Sequence, residues 1–269
     1  MIYENIVGYK KFKDDIIKKK QDFIITSTNY TKKVKIDGVS IIFNTTGKRD
    51  NKILKMINSV RGDANIFLLE NNKITNSYIN FFKLIGDPRK QSISKVDVHA
   101  AYWMDALYRG IISKKSDNLL HKLYKDTDNM KKARLKALGS LATRKRIETY
   151  IKGKLAPEQY IEGKLYRNPA YKVEKTREIY MDICRDIDRL MIEASQAVPK
   201  TFYYYWDCIF VNSDFEWEAI EYFKNSGYSS HTDITELEFI KIGDGGYLIS
   251  KQDDKSYMVR KDDIFKLMV

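Results

Sequence analysis

Residues Thr176 to Ala194 constrain the fold more than any other stretch of this chain. Ile179, Ile183, Ile187, Leu190 and Ala194 recur there at three- and four-residue spacing, which draws one apolar stripe along a helix. That stripe has to pack on a sheet, and the sequence supplies one. Pro199 ends the helical region, and Thr201 to Asn212 is rich in aromatic and β-branched residues. A helix from Glu216 to Asn225 follows, then strand-like runs around Phe239, Tyr247 and Tyr257, with Gly243 to Gly246 as a turn. Asp262 to Met268 reads as a short terminal helix. Upstream, Ser94 to Val98 is a short β-type run, Ala100 to Leu107 has helical spacing, and Gly110 closes that helix. Nearer the start, Tyr9 to Lys20 reads as a basic helix, Lys33 to Asn44 as two strands turning at Asp37-Gly38, and Asp50 to Val60 as a second helix. Residues 113 to 154 read as helical and basic. The mixture predicts an α+β fold.

Charge narrows the class. Forty-eight Lys and Arg against 36 Asp and Glu leave a net +12, and the surplus is concentrated. Between 131 and 154 stand nine basic residues, among them Lys131, Arg134, Lys136, Arg144, Lys145 and Arg146, against the single acid Glu148. A hydrophobic fraction of 43% and an aromatic fraction of 13% suffice for a packed core in a 269-residue chain and rule out a disordered basic tail. No run approaches the ~18 apolar residues that would span a bilayer, and Met1-Ile2-Tyr3-Glu4 opens no hydrophobic signal segment. Cys184 and Cys208, with His99, His121 and His231, make neither a disulfide framework nor an imidazole metal site. The expectation is a soluble cytoplasmic protein, with no membrane and a polyanionic partner.

Two acids interrupt otherwise apolar, strand-like runs: Asp97 in Lys-Val-Asp-Val-His and Asp207 in Tyr-Trp-Asp-Cys-Ile-Phe. A carboxylate so placed is costly unless it is paired, hydrogen-bonded or bound to a cation. Either acid alone reads equally well as a surface acid on a half-exposed strand. Two of them on neighbouring strands favour a shared site, and two Asp can hold a pair of Mg²⁺ ions for phosphoryl transfer. Asp105, Asp182, Asp186 and Asp188 lie on helices and are expected to face solvent, and Cys208 to be a small buried residue. Of Tyr203, Tyr204, Tyr205 and Trp206, at least half are expected in the core.

These motifs resemble those of family B DNA polymerases, in particular the protein-primed, viral-like members. Asp97-Val98-His99-Ala100-Ala101-Tyr102 is similar to the first palm motif, D-x-x-S-L-Y-P, with Asp and Tyr kept and Trp103 in place of Pro. Lys131 to Gly139 resembles a reduced K-x-x-x-N-S-x-Y-G fingers motif, with Leu135 for the Asn and Leu138 for the Tyr. Tyr203 to Phe210 resembles Y-x-D-T-D-S-I, with Tyr205 at the first Asp and Asp207 at the second, the metal-binding one. Arg61-Gly62 faintly resembles the Y-x-G-G/A motif, and Lys255-Ser256-Tyr257 fits K-x-Y. The five occur in the family's order. The stretch before Asp97 is too short for a proofreading exonuclease and contains no D-x-E pair.

The resemblance implies a palm-like antiparallel sheet backed by helices, with short helical fingers and a small β-rich thumb. The corresponding segments are 1–60 (a small α/β region), 61–112 (first part of the palm), 113–158 (fingers), 159–230 (second part of the palm) and 231–269 (thumb). It implies transfer of dNTPs to a primer 3′-hydroxyl by two Mg²⁺ or Mn²⁺ ions, held by Asp97, Val98 and Asp207. Tyr102, Lys131, Arg134 and Lys136 would bind the nucleotide. Arg61, Arg144, Lys145, Arg146, Lys255 and Tyr257 would meet the primer-template DNA. The rival reading is a catalytically inactive, palm-derived nucleic-acid-binding protein, its altered fingers motif recording lost catalysis. A weaker third is a primer-making or template-independent nucleotidyltransferase.

Overall fold

The computed structural model describes residues 2–28, 31–44, 51–71, 79–89, 91–242, 245–250, 255–260 and 262. In chain order the elements begin with β1 (Ile2–Asn5), α1 (Ile6–Lys18), β2 (Phe23–Ser27), β3 (Thr31–Ile36), β4 (Val39–Asn44) and α2 (Asn51–Glu70). Then come β5 (Phe82–Leu84), β6 (Ile93–Val98), α3 (Ala101–Tyr108), α4 (Lys114–Leu123) and α5 (Thr127–Gly139). A run of strands follows: β7 (Arg144–Ile151), β8 (Lys154–Leu155), β9 (Glu158–Ile161), β10 (Lys164–Arg167) and β11 (Ala170–Val173). The remainder is α6 (Thr176–Ala197), β12 (Thr201–Tyr205), β13 (Cys208–Asn212), α7 (Glu216–Asn225), β14 (Ser230–Thr235), β15 (Leu237–Ile242), β16 (Gly245–Ser250) and β17 (Ser256–Val259). The fold is α+β, as expected. No helix among the described residues is long and apolar enough to cross a membrane.

The chain forms two interleaved units, residues 1–72 with 113–180 and residues 73–112 with 181–269, the division falling inside α6. In the first unit a sheet runs in the order β1-β4-β3-β2-β7-β11, with β8 added to β7. Its pairings are antiparallel except for β1 with β4. One face packs on α1 through Tyr9, Ile16, Phe23, Ile25, Val34, Phe43 and Tyr150, and the Phe23 and Tyr150 rings stack at 4.4 Å. On α2, Ile53, Met56, Ile57, Val60 and Ala64 are buried. That stripe carries the helix past Gly62 to Glu70, ten residues beyond the expected end. Asp63 on α2 accepts bonds from Ser113 (N–H 2.9 Å, hydroxyl 2.8 Å) and from the Ser116 hydroxyl (2.5 Å), which anchors the start of α4.

The helix expected over 113 to 154 is corrected after α5. Arg144–Ile151 is a strand, because Ile147, Thr149, Tyr150 and Ile151 suit a pleated surface and alternate across it. Lys152 and Gly153 then turn the chain with φ of 50° and 70°, the left-handed pair that a tight hairpin uses. The fingers-like segment is therefore half helix and half sheet.

The second unit is built on the antiparallel sheet β14-β6-β13-β12-β5. The α6 stripe packs here as its spacing requires. Ile187, Met191 and Ala194 lie with Val96, Val98, Tyr204, Ile209 and Val211 of the sheet and with Ala219 and Phe223 of α7. The opposite face of the sheet, through Leu84, Ile93, Tyr203, Cys208 and Phe210, packs on β15-β16-β17 through Leu237, Leu248, Tyr257 and Val259. With both faces covered, the consecutive rings of Tyr203 and Tyr204 are buried in different cores, while Trp206 in the turn is exposed. Gly245 and Gly246 open β16; residues 243–244 of the expected turn and the expected tail helix beyond Asp262 lie outside the described residues.

Candidate functional site

Val96 and Val98 are buried on the helix side of β6, so alternation turns Lys95 and Asp97 to the other face. The register partner of Asp97 on β13 is Cys208. Asp207 precedes it in the two-residue turn Trp206-Asp207 that joins β12 to β13. The Val98 N–H donates to the Asp207 carbonyl at 2.9 Å, which ties the turn to the end of β6. The structure thus brings Asp97, Val98 and Asp207 to one end of one sheet.

Strained backbone brackets the pair. Trp206, just before Asp207, sits at φ 55°, and Ala100, just after the β6 strand end, at φ 53°. Left-handed non-glycine residues cost about 1–3 kcal/mol each and gather at functional sites. Beneath the carboxylates lies the buried thiol of Cys208, which donates to the Tyr205 carbonyl at 3.1 Å. Burial pushes this thiol well up. Lys95 pulls it down, and Asp97 and Asp207 push it up further, so both carboxylates act on one sulfur. Lys95 Nζ is 3.2 Å from Asp97 Oδ2, and its side chain is only 12% exposed. Burial lowers its pKa, but the surrounding groups, Asp97 among them, hold the ammonium above the ordinary lysine value. Sequence reasoning missed Lys95; its signal was the two-residue spacing to Asp97 on a strand.

Among the described residues, no group of three or more His, Cys, Asp or Glu side chains gathers as a metal cage. The donors are two half-exposed carboxylates. Mg²⁺ is commonly bound by one or two carboxylates with substrate phosphates completing its shell, so the pair fits that mode and not a protein-only site.

Tyr102, in the first turn of α3, is half-buried and packs against the helix-side core. Tyr257 is 4% exposed, its ring 4.9 Å from Phe210 and 5.2 Å from Tyr205, so packing is its evident role; Lys255, just before β17, is exposed. The remaining expected residues belong to the first unit. Arg61 is half-buried on α2, Lys131 and Lys136 are exposed on α5, and Arg134 is half-buried there. Arg144 and Arg146 share one face of β7, and Lys145 takes the other. Arg146 pairs with Glu148 at 2.6 Å, and Lys145 pairs with Glu174. The three do not form a single basic patch.

The helical acids expected in solvent are instead drawn inward. Asp105 is 5% exposed and Asp188 4%. Arg109, which caps the end of α3, bridges Asp105 (3.5 Å), Asp186 (2.5 Å) and Asp182, while Asp188 accepts from the N–H groups of Asn80 (2.8 Å) and Phe81 (3.0 Å). The α6 face beside the apolar stripe is covered too, so its acids need partners. No protein-family profile, curated protein or solved structure matches this chain.

Proposed function

We propose that the second unit is a reduced polymerase palm that transfers dNTPs to a DNA primer 3′-hydroxyl. The observation that carries this reading is the register that sets Asp97 opposite Cys208, with the Asp207 turn bonded to Val98. Asp97 and Asp207, with the Val98 carbonyl, would hold the two Mg²⁺ or Mn²⁺ ions. When bound, these supply a lowered pKa for the attacking hydroxyl and charge neutralisation at the triphosphate. Lys95 pairs with Asp97 and fixes its rotamer. Tyr102 offers a flat ring against the sugar, where a 2′-hydroxyl would collide. Within this unit, Lys255 is the cation that the reading assigns to DNA.

The experiment is extension of a labelled primer with Mg²⁺ or Mn²⁺, with and without template. Templated dNTP addition that disappears in both Asp97→Asn and Asp207→Asn is the expected outcome; activity surviving both changes sinks the assignment. A specific observation favours a second reading, a non-catalytic nucleic-acid-binding protein. The Lys95 ammonium already neutralises Asp97, and Leu135 and Leu138 replace the polar residues of the fingers motif. DNA binding without extension, unchanged in both Asp variants, selects it.

A further inference from the structure

The first unit carries a cavity of about 540 Å³ on the sheet face opposite α1. Three lysines line it, Lys33 from β3, Lys145 from β7 and Lys172 from β11, with Thr26, Thr31 and Asn58 between and beside them. Lys145 and Lys172 are direct register partners on adjacent antiparallel strands. Like charges placed opposite each other weaken a sheet, and here both turn toward the same hollow. Each is balanced by one acid, Lys145 by Glu174 and Lys172 by Glu162. The Glu162 side chain is 73% exposed, so it can leave for solvent when a better anion arrives. Part of the wall is apolar, through Ile42 and Ile147.

We propose that this cavity binds a single strand of nucleic acid through its backbone phosphates. Lysine ammoniums, threonine hydroxyls and an asparagine amide are the groups that hold phosphate oxygens. The apolar wall takes the face of a sugar or base. A space of this volume suits a ligand of a few dozen atoms, which admits one or two nucleotides of a strand but no duplex. The proposal shares with the preceding section only the expectation of a nucleic-acid partner; it needs neither carboxylate nor metal.

The test is fluorescence-anisotropy titration of a labelled single-stranded oligonucleotide with the full chain in EDTA, across a salt series. Lys33→Gln, Lys145→Gln and Lys172→Gln together should lower the slope of log affinity against log salt by about 2, since each phosphate contact on a single strand contributes about 0.7. Lys10→Gln, Lys11→Gln and Lys18→Gln, which remove equal charge from α1, should change it by much less. Equal effects of the two triple variants overturn the site. Circular dichroism checks folding, and if the cavity triple fails to fold, Lys172→Gln alone should still lower the slope by about 0.7. Tripolyphosphate and a mononucleotide are titrated in parallel. Tight binding of these with an unchanged oligonucleotide slope overturns the strand and assigns a free nucleotide. Primer extension is read separately, with Mg²⁺, on the unmodified chain, so failure of the polymerase reading is told apart from failure of this one.

Discussion

Lys95 stands where a metal-binding carboxylate would be expected to have only water and substrate beside it. Its ammonium touches Asp97, and the side chain keeps little contact with solvent. A fixed cation beside a carboxylate competes with any divalent ion for the same oxygens. Lys95→Met keeps the length of the side chain and removes the charge. It should tighten Mn²⁺ binding by about tenfold, the equivalent of about one pKa unit of charge interaction, as read by calorimetry on the full chain. On the proposed polymerase reading, extension should fall, because Asp97 then loses the partner that orients it. Weaker Mn²⁺ binding in Lys95→Met would show that the lysine assembles the site and does not compete for it.

At the scale of elements, three tight turns shape the first unit, each a residue followed by glycine: Asp37-Gly38, Lys152-Gly153 and Glu162-Gly163. All six residues have positive φ. Gly153 is the most constrained, since a Cβ there would run into the backbone carbonyl of Ile17 at the end of α1. Gly153→Ala should therefore destabilise the chain by about 2–3 kcal/mol, seen as a lower urea midpoint, whereas Gly163→Ala meets no neighbour and pays only for its φ. Equal midpoints for the two variants would contradict this packing. The sequence made the first of these turns legible because Val and Ile alternate around Asp37-Gly38. The other two were hidden. In Arg-Lys-Arg-Ile-Glu-Thr-Tyr-Ile, three consecutive charges obscured the period of two, and the basic run favoured a helix. The helix α6 and the β12–β13 hairpin were legible for the opposite reason: their apolar positions carry the period undiluted. At the candidate site the acids were visible as polar interruptions of apolar strands. Lys95 and the Arg109 network were not, because burial of a charge depends on which element packs over it, and no local pattern records that.

For the molecule as a whole, the Arg109 network makes stability depend on pH. Burial, partly offset by Arg109 and reinforced by Asp186, raises Asp105 to about 6 from its ordinary 3.8. The folded state therefore holds this proton more tightly than the unfolded chain does. Its contribution is fully present below about pH 4 and is lost as pH rises through about 6, an effect of order 3 kcal/mol. Asp105→Asn removes it. The stability difference between wild type and variant should shift toward the wild type as pH falls from 7 to 4, measured by denaturant titration at each pH; a constant difference would mean that Asp105 titrates normally. The interleaving of the two units bears on how the chain is made. Among the described residues, strand β6 pairs with β13 and β14 alone, so as the chain leaves the ribosome the Asp97 strand emerges with no partner and waits until residues 208–235 have been synthesised. By then every strand of the first unit is already out, and local units fold first. A chain interrupted before Thr201 would own the lysine cavity but lack Asp207, so on the two proposed readings an unfinished copy would hold a strand and carry out no chemistry on it.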